Sequence, residues 1–183
     1  MDCLTCARNK HCELQALAAE FNIEAVRYGN DQLLPQIEDS AYHLVRDNSK
    51  CVLCRRCVAV CRKLQDVGVL TAADRGFGTH IACAFDRDLS EVDCVSCGQC
   101  IEACPTGALA EKDNTAEVWA ALQDPSKHVV VGPAPAVRAA LGEAFGMPIG
   151  TNVEGKMVTA LRRLGFDQVF DVDNAADFTI MEE

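Results

Sequence analysis

The sequence predicts an α+β protein that is organised by clusters of cysteine rather than by one large apolar core. Eleven of the twelve cysteines fall into three groups, and all twelve lie at or before Cys104. The remainder of the chain combines short apolar strands with amphipathic helices. We therefore expect a small cysteine-rich helical loop, then a domain that contains two four-cysteine runs, then an incomplete α/β segment of strand–helix–helix–strand order.

The two four-cysteine runs carry the strongest signal. Cys51–Cys61 and Cys94–Cys104 share the spacing Cys-x2-Cys-x2-Cys-x3-Cys. Bacterial two-cluster ferredoxins have this spacing, and there the fourth cysteine of each run binds the other 4Fe–4S cluster. The predicted fold is thus a bacterial two-cluster ferredoxin-like domain with two 4Fe–4S clusters. We expect cluster one on Cys51, Cys54, Cys57 and Cys104, and cluster two on Cys94, Cys97, Cys100 and Cys61.

Zinc is the main alternative cofactor, because four thiolates also form structural zinc sites and paired Cys-x2-Cys is zinc spacing. A third cysteine at the same short spacing, which both runs have, is unusual for zinc and favours iron–sulfur. A disulfide framework is disfavoured, because the N-terminus does not have the pattern of a secretory signal. We expect a cytoplasmic protein with reduced thiols.

A third cysteine group, formed by Cys3, Cys6 and Cys12, is less specific. Three thiolates can hold three corners of a third 4Fe–4S cluster, and a fourth ligand is then required. Asp2, a nearby histidine or a residue outside this chain could provide that ligand. A zinc site and free thiols are the alternatives. His11, next to Cys12, is expected to be an exposed polar residue.

Helices and strands can be assigned around the cysteine runs. Residues 12–21 have the apolar periodicity of a helix, and residues 42–46 are expected to form a strand that precedes the first run. Residues 69–73 and 79–85 resemble the arms of a β-hairpin with a glycine-rich turn. Cys83, in the second arm, is expected to be buried without a ligand role.

The cysteine-free segment begins with a predicted strand at 129–131 and a helix from about Pro133 to Phe145. Thr151 and Glu154 match a capping box that opens a second helix. A strand at 169–172 follows. Five residues are expected to bury the apolar face of the second helix, and Gly165 is expected to end it; the five are Val153, Met157, Val158, Leu161 and Leu164.

Three domains follow from these boundaries: residues 1–40, 41–126 and 127–183. The two apolar strands of the last domain have too little chain around them to complete a sheet. Unpaired sheet edges of this kind favour self-association or pairing with a partner segment.

Charged residues and histidines outside the cysteine groups are weaker candidates. Four cations flank the first run and are expected either to raise the potential of a nearby cluster or to be solvated; they are Arg55, Arg56, Arg62 and Lys63. Three histidines are expected to be ordinary surface or strand residues; they are His43, His80 and His128.

The formal net charge of −10 disfavours nucleic acid as a partner, because phosphate backbones repel an acidic surface. Apolar runs do not approach the roughly 20 residues that span a bilayer, so we expect no membrane association. An acidic surface suits an electron carrier that docks on a basic partner, although it also serves solubility.

A family resemblance rests on particular segments. The segment from Asp2 to Gln15 resembles the distal cluster loop of iron-only hydrogenases and of the large iron–sulfur subunit of NADH dehydrogenase. In those families a histidine four residues before the first cysteine is the fourth ligand, a position that here would precede Met1. Residues 46–51 and 94–100 resemble the two-cluster domain of the same families.

The cysteine-free segment resembles the start of the catalytic domain of iron-only hydrogenases at residues 134–143, 155–158, 161–166 and 177–183. This resemblance implies an electron relay between an external partner and a hydrogen-activating site whose cysteine ligands come later in the family. The chain by itself is then not expected to turn over hydrogen. The implied partner is a ferredoxin or an NAD(P)H-oxidising flavoprotein subunit. The alternatives are the relay portion of an NADH- or formate-oxidising complex and a free-standing ferredoxin.

Overall fold

The computed structural model describes residues 3–25 and 37–182, in which helix and sheet are mixed as predicted. The chain divides into two compact units, Met1–Lys112 and Asp113–Glu183. The helices are α1 (Glu13–Glu20), α2 (Arg56–Lys63), α3 (Gln99–Glu102), α4 (Thr115–Gln123), α5 (Pro135–Ala144), α6 (Glu154–Leu164) and α7 (Val172–Glu182). The strands are β1 (Ile37–Glu38), β2 (Leu44–Asp47), β3 (Thr71–Ala73), β4 (His80–Ala82), β5 (Leu109–Glu111), β6 (Val130–Val131) and β7 (Gln168–Val169). Among the described helices, none has both the length and the apolar character that a bilayer span needs.

The first unit is built on a three-stranded antiparallel sheet in the order β1-β2-β5. The central strand β2 buries alternate side chains, Leu44 and Arg46, as a strand with one covered face does. Leu44 is 1% exposed and therefore lies in the centre of the core. The predicted strand at 42–46 is confirmed at this position and begins two residues later.

Helices α2 and α3 pack against each other, and each of them follows a cysteine-containing loop. The residue before α2, Arg55, has a φ of 60°, and the residue before α3, Gly98, has a φ of 73°. Both loops thus turn through the left-handed region directly before a helix begins. α2 buries Cys57 and Cys61, which are one turn apart on the same helix face.

The predicted hairpin is confirmed, with shorter arms than expected. β3 and β4 pair antiparallel, with Ala72 opposite Ile81, and a 3-10 turn at Gly76–Gly78 lies between the strands. Cys83 is fully buried behind the hairpin, as expected. His80 is buried as well, and its Nε2 lies 2.8 Å from Asp86 Oδ1. His80 Nδ1 also lies 2.9 Å from Gly78 O, so this ring links the hairpin turn to Asp86 beyond β4.

The second unit has the predicted strand–helix–helix–strand order. β6 and β7 pair in parallel, and α5 and α6 connect them. A parallel pair needs a long crossover connection, which the two helices provide. The predicted strand at 169–172 was too long, because β7 ends at Val169 and α7 begins at Val172.

The capping box predicted at the start of α6 is not formed. The Thr151 hydroxyl donates to Pro148 O at 2.6 Å, and the Glu154 N–H donates to Asn152 Oδ1 at 3.0 Å. Asn152 directly precedes the N-cap residue Val153, and its side chain accepts the first helical N–H in a turn at the start of the helix. Local side-chain-to-backbone bonds of this kind offer alternatives that sequence spacing does not distinguish.

The expected burial along α6 is confirmed only in part. Val153 and Met157 are buried, Val158 and Leu161 are half-buried, and Leu164, the last residue of the helix, is 48% exposed. Gly165 ends the helix with a φ of 107°, the left-handed conformation that glycine adopts without strain.

We expect Asn152→Ala to destabilise the second unit by about 1 kcal/mol, because it removes the side chain that accepts a helix N-terminal N–H. The matched control Thr151→Ala removes a hydroxyl that bonds outside the helix, and its effect should be clearly smaller. Hydrogen exchange of the α6 amides in the full chain measures both effects. Equal protection loss in the two variants would contradict the assignment.

Candidate metal centres

Three cavities of similar size lie in the first unit, and a different cysteine set lines each of them. Together with the open solvent at their mouths, they contain about 370, 400 and 350 Å³ of space outside the protein atoms. We name them cavities one, two and three. Cavity one is lined by Cys51, Cys54, Cys57 and Cys104; cavity two by Cys94, Cys97, Cys100 and Cys61; cavity three by Cys3, Cys6 and Cys12.

The fourth cysteine of each run lines the cavity of the other run, and the positions of helices α2 and α3 in the chain explain this exchange. Cys57 and Cys61 are one turn apart on α2, yet Cys57 lines cavity one and Cys61 lines cavity two. In the second run, Cys100 on α3 lines cavity two, and Cys104, just beyond the helix, lines cavity one. Helix α2 therefore contributes to both cavities, and the chain of the second run reaches cavity one only after α3 has ended. The structure brings together the same sets of four cysteines that the spacing predicted.

The separation of the sulfur atoms distinguishes a zinc ion from a larger group. Four thiolates at the usual Zn–S distance of about 2.3 Å lie about 3.8 Å from one another. Within residues 3–25 and 37–182, no three cysteine sulfurs lie within 4.8 Å of one another. The cysteine sets are thus spread too widely for a single zinc ion and suit a group with several metal atoms.

Burial disfavours the thiolate form of these cysteines unless a metal cation binds to them. Burial raises the pKa of the Cys57 thiol to about 12 and that of Cys100 to about 11. Burial also raises the pKa of Cys51, partly offset by a hydrogen bond from the Leu53 N–H. Metal binding has to displace these protons, which couples the site to the folded state.

Arg46 shows that cavity one suits an anionic group. Its side chain lines cavity one and is 7% exposed. One guanidinium nitrogen lies 4.0 Å from Glu38 Oε2, whereas Nε and Nη1 have no hydrogen-bond partner among the described residues. A buried cation with free donors is costly. An iron–sulfur cluster, whose sulfur atoms accept hydrogen bonds, would supply acceptors for the two nitrogens that Glu38 does not reach.

Cavity three is attached firmly to the two-run domain. Arg8 donates to Ile101 O at 3.0 Å, and the Glu13 N–H donates to Pro105 O at 3.1 Å. A Cβ atom added at Gly107 would overlap with Cys6 Sγ, so the backbone there approaches the thiol closely. His11 is exposed, as expected. Asp2, a candidate fourth ligand, lies outside the described residues.

Each cavity has one cysteine at its opening to solvent. Cys3, Cys54 and Cys97 are exposed, while the other cysteines of each set are half-buried or buried. Beside cavity one, the flanking cation Arg56 is paired with Glu13 at 2.8 Å, and Arg62 and Lys63 lie exposed at the end of α2.

The sequence did not point to His43 as a site residue. His43 lines cavity two, and its Nε2 lies 3.6 Å from Cys94 Sγ. Its Nδ1 lies 3.0 Å from Ser96 Oγ. The histidine is 51 residues from the cysteine in the chain, so motif spacing carries no signal for this contact.

Three protein families match separate parts of the chain. Residues 1–27 match the NADH-ubiquinone oxidoreductase-G iron-sulfur binding region, and residues 50–108 match the 4Fe-4S dicluster domain. Residues 127–183 match the C-terminal domain of the iron only hydrogenase large subunit. The chain therefore binds 4Fe–4S clusters.

Similar proteins point the same way. The chain is 50% identical to the NADP-reducing hydrogenase subunit HndD of Solidesulfovibrio fructosivorans over 182 residues, which are 100% of this chain and 31% of that protein. It is 39% identical to iron hydrogenase 1 of Clostridium pasteurianum over 186 residues, covering 99% of this chain and 32% of that protein. This chain thus spans about a third of the length of these relatives.

A solved structure adds a more distant likeness. The NAD+-reducing NiFe-hydrogenase in its H2-reduced state has a TM-score of 0.55 and 25% identity, over 60% of this chain and 47% of that one. The hydrogenase-domain match and the similarity to HndD both indicate a relationship to hydrogenases. Over nearly its full length, this chain is similar to iron-only hydrogenase-like proteins, and its first part matches an iron–sulfur binding region.

Proposed function

We propose that the chain relays single electrons through three 4Fe–4S clusters, one in each cavity. The observation that carries this proposal is the presence of three cavities of similar size, each lined by its own cysteine set. Each set provides at least three of the four thiol ligands that a 4Fe–4S cluster needs. When bound, a 4Fe–4S cluster supplies one-electron redox chemistry whose potential the surrounding protein adjusts.

The proposed ligands are the predicted ones. Cluster one is held by Cys51, Cys54, Cys57 and Cys104, and cluster two by Cys94, Cys97, Cys100 and Cys61. Cys3, Cys6 and Cys12 hold the third cluster with a fourth ligand from outside the described residues. In this scheme Arg46 balances the negative charge of cluster one, and the two helices fix the distance between clusters one and two.

The cavity walls support an order for the relay. Thr106 lines both cavity one and cavity three, and its hydroxyl donates to Lys50 O at 2.9 Å. Cavities one and two are joined through α2, where Cys57 and Cys61 are separated by a rise of about 6 Å along the helix. We infer the order cavity three, cavity one, cavity two.

Hydrogen metabolism is the proposed setting of this relay. The match of residues 127–183 to the hydrogenase C-terminal domain supports a destination at a hydrogen-activating site. The match of residues 1–27 also fits the alternative, the relay portion of an NADH-oxidising complex. We propose an NAD(P)H-oxidising flavoprotein subunit or a ferredoxin as the partner, in the cytoplasm, with the NADP-reducing relative favouring the former.

The second unit is proposed to be part of a larger hydrogenase domain that starts near residue 127. Its two parallel strands form only a pair in the described part of the chain, and Val130 is 50% exposed. Parallel strands usually belong to sheets that are covered on both faces. We propose that further strands, from the same protein or from a second copy, extend this pair.

We expect the anaerobically purified full chain to contain about twelve iron and twelve sulfide, four of each per cluster. Dithionite should reduce it, with loss of visible absorbance and appearance of EPR signals, and an acceptor dye should reoxidise it. Metal analysis, EPR and dye reduction measure these properties. A colourless protein with zinc in place of iron would overturn the relay.

Cross-ligation is tested by the matched pair Cys104→Ser and Cys61→Ser. We expect Cys104→Ser to damage the cluster bound by the first run, and Cys61→Ser the cluster bound by the second run, because the fourth ligands cross over. EPR redox titration, with each signal assigned through Cys54→Ser and Cys97→Ser, distinguishes the two clusters. If each variant damaged the cluster of its own run, the assignment would be wrong.

Gly107→Ala tests whether cavity three holds a cluster. A free Cys6 thiol could rotate away from the new methyl group, but a thiolate bound to a cluster cannot. We therefore expect the variant to lose about four iron, the content of one 4Fe–4S cluster, and to keep the other two clusters. Gly155→Ala is the control, because an added Cβ there has no neighbour within 4 Å. Full iron content in Gly107→Ala would argue against a cluster on Cys6.

A further inference from the structure

We infer that His43 is a positioning residue for cluster two. It donates a hydrogen bond from Nε2–H to Cys94 Sγ and thereby raises the reduction potential of that cluster. The inference rests on the proposed relay function. It extends that function by naming a group that makes cluster two easier to reduce. His43 is not a ligand in this assignment, because the four cysteines of cavity two already complete the set.

The backbone holds the His43 ring at the cavity wall. His43 directly precedes β2, and its carbonyl oxygen accepts the Lys112 N–H at 3.1 Å, continuing the pairing of β2 with β5. The half-buried ring then reaches Cys94 Sγ with its Nε2 at 3.6 Å. This distance is within the range of a hydrogen bond to sulfur.

The proton on the ring can be assigned from its two partners. A cysteine that binds a cluster is a thiolate and has no proton to donate. The contact at 3.6 Å is therefore attractive only if Nε2 carries the proton. With the proton on Nε2, Nδ1 can accept from the Ser96 hydroxyl, which lies at 3.0 Å.

Ser96 has the same left-handed conformation as Leu53 at the equivalent position of the first run, so this turn belongs to the cysteine loop itself. The φ of Ser96 is 54°, in the left-handed region that residues with a side chain rarely adopt. The turn places its hydroxyl next to the ring, two residues after Cys94 in the same loop. The cysteine and the group that orients its hydrogen-bond donor thus belong to one short segment.

The redox consequence follows from charge. Reduction adds one electron to the cluster and its thiolates, and no covalent bond forms or breaks and no proton moves. A hydrogen-bond donor to a ligand sulfur stabilises the more negative, reduced state more than the oxidised state. The electron comes from an external one-electron donor, for which dithionite serves as the probe.

The experiment compares His43 variants of the full, cluster-loaded chain. His43→Phe keeps the ring but removes the donor. His43→Gln places an amide N–H near the position of Nε2, whereas His43→Asn, one methylene shorter, does not reach it. His128→Phe is the matched control, because this histidine is 63% exposed and belongs to the second unit. Iron and sulfide content must equal that of the unsubstituted chain in each variant that is titrated.

We expect His43→Phe to lower the potential of cluster two, with an about fivefold fall in its reduced-to-oxidised ratio at a fixed ambient potential. Cluster one should not change. His43→Gln should restore most of the potential and His43→Asn should not. Pulsed EPR of the reduced chain labelled with 15N-histidine should detect one weakly coupled nitrogen, which His43→Phe removes and His128→Phe keeps.

The outcomes separate this inference from the relay itself. An unsubstituted chain without iron and sulfide would overturn the proposed function. Intact clusters with an unchanged cluster-two potential in His43→Phe would overturn only the role of His43. If His43→Phe prevented assembly of cluster two, the comparison of His43→Gln with His43→Asn would decide, and equal potentials in those two variants would refute the hydrogen bond.

Discussion

The fold of the first unit depends on cysteine thiols that are buried in its apolar core. Cys57, Cys61 and Cys104 belong to the same buried cluster as Leu44 and Leu109. Burial that stabilises an apolar side chain penalises a thiolate, and the raised pKa of Cys57 reflects this conflict. Metal binding resolves it, because the metal replaces the thiol proton and brings its own positive charge. The cofactor is in this sense a part of the core.

The same constraint explains where the polar residues of this unit lie. Arg46 occupies a core-facing position of β2, where an isolated cation would be strongly destabilising. Glu38, 4.0 Å away, is one group of opposite charge, and the guanidinium nitrogens without a described partner suit a further acceptor in cavity one. His43, directly before the same strand, lines the other cavity. This short segment therefore places a cation beside cavity one and an imidazole ring beside cavity two.

The sequence predicted those parts of the molecule in which spacing along the chain decides the geometry. The cysteine sets of cavities one and two follow from the two runs, and the helix end at Gly165 follows from local backbone preference. Contacts between distant segments were not predictable in this way. The approach of His43 to Cys94 depends on how β2 pairs with β5, which a single sequence does not reveal. Arg46 and Leu44 lie two residues apart on β2 and therefore share one face of the strand. From the sequence alone, however, an arginine is expected to face solvent, because the sequence does not reveal the cavity beside it.

Exposure of Cys54 and Cys97 has a cost as well as a use. A thiolate at the opening of a cavity brings the metal group close to a docking protein, and electrons can cross without any movement of the fold. Dioxygen and peroxide are small enough to use the same openings. Because α2 contributes Cys57 to cavity one and Cys61 to cavity two, oxidative loss of one cluster would also loosen the helix that carries a ligand of its neighbour. Damage that begins at a single exposed sulfur would therefore spread through the pair, and oxygen tolerance would have to come from covering these openings rather than from strengthening either cluster.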